Sequence, residues 1–143
     1  MDSARRIIDH LYERMQIDDS WAVRKANRFE WWAGPLAQRV WSSPKRELQG
    51  VQVSTVHIET DLLTNVPATP EVFERLAGIN RLGSLSAYVA DMDAGKVRLH
   101  ASISATDDNW PLARGLALHA MALQVADAHT EAEPLAEVFG AEV

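Results

Sequence analysis

The stretch Ser84-Leu85-Ser86-Ala87-Tyr88-Val89-Ala90-Asp91-Met92-Asp93-Ala94-Gly95-Lys96-Val97-Arg98-Leu99-His100-Ala101-Ser102-Ile103 reads as a β-hairpin and decides the fold class. Leu85, Ala87 and Val89 alternate with Ser86 and Tyr88. Val97, Leu99, Ala101 and Ile103 alternate with Arg98, His100 and Ser102. A period of two places each set on one face of a half-buried strand. Between the runs, Asp91 to Gly95 supplies the Asp and Gly residues that hairpin loops favour. So short a connection forces antiparallel pairing, since parallel neighbours need a crossover of a dozen or more residues.

Working upstream, Gly50 to Thr60 is the clearest strand, rich in Val, Thr and Ile. Its apolar phase shifts between Val51/Val53 and Val56/Ile58, which predicts a bulge or strong twist near Ser54-Thr55. Before it, Trp21 and Val23 begin a strand that turns at Ala26-Asn27 into the aromatic strand Arg28 to Ala33. Gly34-Pro35 turns that strand into Leu36 to Ser42, read as a strand or a short helical turn. Ser3 to Met15 reads as a helix capped by Ser3, with Ala4, Ile8, Leu11 and Met15 as its apolar stripe. Thr69-Pro70 opens a second helix that buries Val72, Phe73, Leu76 and Ile79 and ends at Gly83. Asp107-Asp108-Asn109 introduces a long helix to about Asp127. Pro134 disturbs the capping box that Thr130 to Glu133 would form, which predicts a kink or a break before a short last helix ending at Gly140. The order α-β-β-β(-β)-α-β-β-α predicts one α+β domain over residues 1–143. Its antiparallel sheet has five to six strands, with helices packed on one face.

That order resembles the type III secretion chaperone-like fold, and within it the chain is similar to the YbjN group of bacterial proteins. The likeness is carried by Leu76 through Asn80, by Ser84-Leu85-Ser86-Ala87-Tyr88-Val89 with Gly95-Lys96-Val97-Arg98-Leu99, and by two stretches of the C-terminal helix. These are Leu123-Gln124-Val125-Ala126-Asp127 and Leu135-Ala136-Glu137-Val138-Phe139-Gly140. Trp31-Trp32-Ala33-Gly34-Pro35-Leu36-Ala37-Gln38-Arg39-Val40-Trp41 is also similar to bacterial relatives of this type. The resemblance implies a dimer that binds partner proteins, and it brings no catalytic residue with it.

Composition narrows the chemistry. With 143 residues, 47% of them hydrophobic and 24% charged, the chain suits one globular domain. The absence of cysteine excludes disulfides, a thiolate nucleophile and cysteine-held zinc or iron–sulfur centres. A net charge of -6 counts against nucleic acid as a partner, because phosphate neutralisation needs a basic field. No run approaches the ~20 apolar residues of a membrane span, and the N-terminal residues lack a signal-peptide core. A cytoplasmic protein without membrane attachment is therefore expected.

The candidate catalytic patterns are incomplete. Asp91-x-Asp93 lacks the later ligands of a calcium loop, with Gly95 and Ser102 at two of those places. Gly78 to Ser84 has phosphate-loop spacing without its lysine, and it precedes a strand instead of opening a helix. His57, Glu59 and Asp61 alternate on one strand and so share a face. Together with His100 they form the alternative reading, a metal-dependent enzyme or regulator; the plain reading is a solvated polar face. His119 falls with Leu112, Leu116 and Leu123 and reads as a core histidine. No catalytic residue, metal ligand or cofactor is assigned.

Two features point to partner binding. Adjacent strand residues face opposite sides, so Trp31 and Trp32 cannot both enter one core. One of them lies open to a partner or beneath a terminal segment. The long helix is apolar around much of its circumference, with Leu112, Leu116 and Leu123 on one side and Met121 nearly opposite. The sheet can cover one side and a second subunit another, or the terminal helices can do so within one chain. The expected function is a non-catalytic binding module, chaperone-like or adaptor, acting as a homodimer through Trp31, Trp32, Trp41 and Met121. A purely self-associating structural subunit is a further alternative.

Overall fold

A computed structural model describes residues 2–143. Helix α1 (Ser3–Arg14) is followed by a 3₁₀ turn (Asp19–Trp21) and strands β1 (Ala22–Lys25), β2 (Arg28–Ala33), β3 (Leu36–Leu48) and β4 (Val51–Leu63). Helix α2 (Pro70–Asn80), strands β5 (Ala87–Asp91) and β6 (Lys96–Ala105) and helix α3 (Trp110–Phe139) complete the chain. The strands form one six-stranded sheet in the order β1-β2-β3-β4-β6-β5, antiparallel throughout. This is the α+β arrangement that the hairpin reading predicts.

Local chemistry explains the boundaries, with several corrections. Asp2, and not Ser3, caps α1: its carboxylate accepts from the Ala4 and Arg5 amides at 2.8 and 3.4 Å. Ser3 lies inside the first turn and donates to Asp107 at 2.6 Å, tying α1 to the loop before α3. Trp21 belongs to the 3₁₀ turn and not to a strand. Leu36 to Ser42 is a strand that continues to Leu48, and the predicted phase slip is real. Ser43 pairs with Thr55 but Arg46 with Val53, so Pro44 and Lys45 bulge on β3 opposite Ser54. The extra residue lies on the neighbouring strand, which the sequence of β4 alone cannot reveal.

The core has two parts on the helix-covered face. One joins Ile7, Ile8 and Leu11 of α1 to Phe29, Val40, Val56, Ile58 and Met121. The other joins Val72 and Leu76 of α2 to Leu62, Leu63, Val97, Leu99, Leu135 and Phe139. Buried polar side chains form a chain of hydrogen bonds among them. The Trp31 indole donates to Gln38, Gln38 to Thr60, and Thr60 to Gln124, at 2.8, 2.9 and 2.7 Å. Gln124 then donates to the Ile58 carbonyl and to Ser86. Each amide thus has partners on both its oxygen and its nitrogen, as burial requires.

Several expectations about the helices and strands are corrected. Helix α3 is one continuous element through Pro134, ending at Gly140 in the left-handed region at φ 66, where a side chain would be strained. It turns Ala113, Ala117, Ala120, Met121, Gln124 and Ala128 to the sheet, while Leu112 is 70% exposed and Leu116 44%. Small side chains let the helix approach the sheet closely, so the alanine side is the inner one. His119 is accordingly exposed instead of sitting in the core, and Met121 is 0% exposed. On β5 and the bend before it, Ser86, Tyr88 and Ala90 face inward while Leu85, Ala87 and Val89 face out. Tyr88 and Ala90 pack against the second core cluster. On α2, Phe73 is exposed, and Val72 and Leu76 carry the packing.

Candidate functional site

With α1, α2 and α3 on one face, no described element covers the other face of the sheet, and the pleat assigns its residues. Glu30, Arg39, Glu59 and His100 stand directly across β2, β3, β4 and β6 in one row. Trp41, His57 and Ser102 form the next row, and Asp61 and Arg98 flank the first on its other side. Arg39 donates to Asp61 at 2.6 Å and to Glu59 at 3.3 Å. Arg98 donates to Asp61 at 3.1 Å and to Asp91 at 2.8 Å. Burial alone would raise the Asp61 carboxyl, but the Arg39 guanidinium and then Lys96 and Arg98 outweigh it and hold it below the ordinary range. The carboxylates are thus occupied by guanidinium groups. Among the described residues no three His, Cys, Asp or Glu side chains converge as a metal cluster. His57, Glu59 and Asp61 share a face as predicted, but alternate strand residues stand about 6.8 Å apart, so the three do not meet.

The histidines do meet. His57 stacks on Trp41 with ring centroids 5.1 Å apart and planes at 18°, and its Nδ1 lies 3.4 Å from His100 Nε2. Burial, and then the charge of His100, lowers the His57 pKa from its ordinary value. Trp41 is therefore half-buried in this polar layer, and it also lines a broad groove of about 860 Å³ with Val23, Arg28, Glu30 and Arg39.

Trp31 and Trp32 are split between the faces, as the pleat demands. Trp31 points to the helix side and packs against the first core cluster. Trp32 is 38% exposed on the open side. The rings nevertheless flank a second groove of about 340 Å³ where α1 gives way to β1, with Met15, Ile17, Trp21 and Gly34. Trp21 is 62% exposed there. Its local sequence does not mark it as a binding residue, because a lone tryptophan after Asp18-Asp19-Ser20 looks like the start of a strand. Met121 cannot join any such surface, being enclosed beneath α3. The outer side of α3 instead exposes Leu112 and Leu116 with His119 beside them, and Gly115 to Ala126 holds no Asp, Glu, Lys or Arg.

The fold is an α+β arrangement, a six-stranded antiparallel sheet with its three helices on one face. The chain is similar in structure to a chain of the crystal structure of the ExsC–ExsE complex, with a TM-score of 0.52, 18% sequence identity and 97% of each chain covered. No family model and no curated protein matches the sequence. No helix among the described residues is long and apolar enough to cross a membrane.

Proposed function

We propose that this chain is a non-catalytic, cytoplasmic protein-binding module of bacterial origin, chaperone-like or adaptor in role, which acts as a homodimer. The observation that carries the reading is the aromatic groove beside β1. Trp21 and Trp32 are exposed beside the partly buried Met15 and Ile17, and large aromatic side chains in a concave apolar site are what protein recognition uses. Among the described residues β1 is paired on one side only, so an extended partner segment can add to its edge while a side chain enters the groove. The larger groove at Trp41 is lined by Lys25, Arg28, Glu30 and Arg39 and suits an apolar anchor less well. The structurally similar chain belongs to the ExsC–ExsE complex, which supports a protein partner for this fold. Dimerisation rests on the Leu112 and Leu116 stripe, and membership of the YbjN group on the residues of Leu76–Asn80 and the β5–β6 hairpin.

Selection of displayed peptides on the purified chain tests the groove. Binders are expected to weaken at least about tenfold on Trp32→Ala and on Trp21→Ala, the loss typical of a recognition hot spot. Circular dichroism should show both variants folded. Peptides that bind both variants as well as the parent would place recognition elsewhere. A selection that yields none would remove the binding-module reading.

A further inference from the structure

The meeting of His57 and His100 on the open face is not needed for binding a peptide at the β1 edge. It has a geometry of its own. His57 Nδ1, His100 Nε2 and Ser102 Oγ form a triangle with sides of 3.4, 3.0 and 3.0 Å. Zinc–imidazole bonds are about 2.0–2.1 Å, so two nitrogens at neighbouring corners of a tetrahedron lie about 3.3–3.4 Å apart. The nitrogen pair has that spacing before any side chain moves.

Protonation points the same way. His100 Nδ1 lies 2.9 Å from Glu59 Oε2, and this carboxylate is also paired with Arg39 and Arg98. An ionised carboxylate accepts only, so Nδ1 carries the proton and, in the neutral ring, Nε2 presents its lone pair to His57. His57 Nε2 lies 2.6 Å from Ser43 Oγ. When it donates there, His57 Nδ1 also presents a lone pair. The single proton of Ser102 can satisfy one of these nitrogens and leaves the other facing a lone pair. A cation between them satisfies both. Both outer nitrogens already have hydrogen-bond partners: a carboxylate on His100, as metal-bound imidazoles commonly have, and the Ser43 hydroxyl on His57. Trp41 stacked on His57 fixes the plane of that ring.

We infer that His57 and His100 are the protein ligands of a divalent transition-metal site of the zinc, nickel and copper class on the open sheet face, with the Ser102 hydroxyl at a third corner. Neutral imidazole selects these ions over magnesium and calcium, which prefer oxygen cages. Glu59 acts here as a positioning residue that orients His100, and not as a ligand.

The test is calorimetric titration of the untagged full chain with zinc chloride at neutral pH, alongside thermal unfolding with and without the ion. One ion per chain and a higher melting temperature are expected, with no response to magnesium. His57→Ala and His100→Ala should each weaken binding at least about 100-fold, and Glu59→Gln about 10–100-fold. His119→Ala, on the exposed side of α3, should bind as the parent does. Should an alanine variant misfold, imidazole NMR of the parent gives the second readout, since zinc should move the ring signals of His57 and His100 and leave those of His119 and His129 in place. No heat and no thermal shift at about 1 mM zinc, far above structural-site affinities, would overturn the site. So would binding that survives in the His57→Ala/His100→Ala double variant. Neither result bears on peptide binding at the Trp21–Trp32 groove.

Discussion

Asp61 stands between Arg39 and Arg98, and its side chain is mostly withdrawn from water. A carboxylate so placed gains charge-assisted hydrogen bonds that the unfolded chain lacks. Its folded pKa lies below the ordinary 3.8. The folded state therefore holds its proton less readily than the unfolded state. The stabilisation is complete above the unfolded value and is lost as pH falls through the folded one. Asp61→Asn is expected to cost about 1–3 kcal/mol at pH 7, measured by urea unfolding. The gap between parent and variant should close as the pH is lowered below 3.8. A cost that is the same at pH 7 and pH 3 would show that packing, and not ionisation, makes Asp61 matter.

Helix α3 carries the main conflict between local preference and tertiary packing. Pro134 has no amide hydrogen to give the carbonyl one turn back, and its ring crowds that turn, which ordinarily breaks a helix. The helix continues because Leu135, Ala136 and Phe139 beyond the proline are buried in the second core cluster. Their burial at about 25 cal/mol per Å² offsets the lost bond. Pro134 itself is exposed, so replacing it disturbs no contact with the core. Pro134→Ala is expected to stabilise the fold by about 1–3 kcal/mol, seen as a higher urea midpoint. A lower midpoint would mean that the proline shapes the final turn in a way the core needs.

For the molecule as a whole, the outer stripe of α3 sets the expected assembly. Leu112 and Leu116 lie opposite the sheet, and the neighbouring stretch lacks charge. Light scattering after size-exclusion chromatography should give twice the chain mass of 15.9 kDa. Leu116→Glu should shift the equilibrium toward monomer by at least about tenfold, since a carboxylate buried without a partner is costly. A parent chain that is monomeric at high micromolar concentration would remove the dimer and leave the β1 groove as the binding surface.

The sequence by itself determined most of the elements and their order. Period-two alternation marked β6, β-branched density marked β4, and Gly-Pro and Asp-rich turns marked the connections, all of which depend on near neighbours. It also placed His57, Glu59 and Asp61 on one face, because the pleat alone fixes that. Which face of α3 and β5 turns inward was decided only by tertiary structure. The close approach of α3 to the sheet rewards Ala113, Ala117 and Ala120 over Leu112 and Leu116, although leucine is the more hydrophobic residue. Gln38, Thr60 and Gln124 are distant in the chain, so their shared burial could not be read locally. The pairing of His57 with His100 depends on the register between β4 and β6, where Glu59 stands opposite His100 and His57 opposite Ser102. Local sequence sets the period of each strand. The alignment of one strand against another comes from burying both cores at once, and that alignment brings the histidines together.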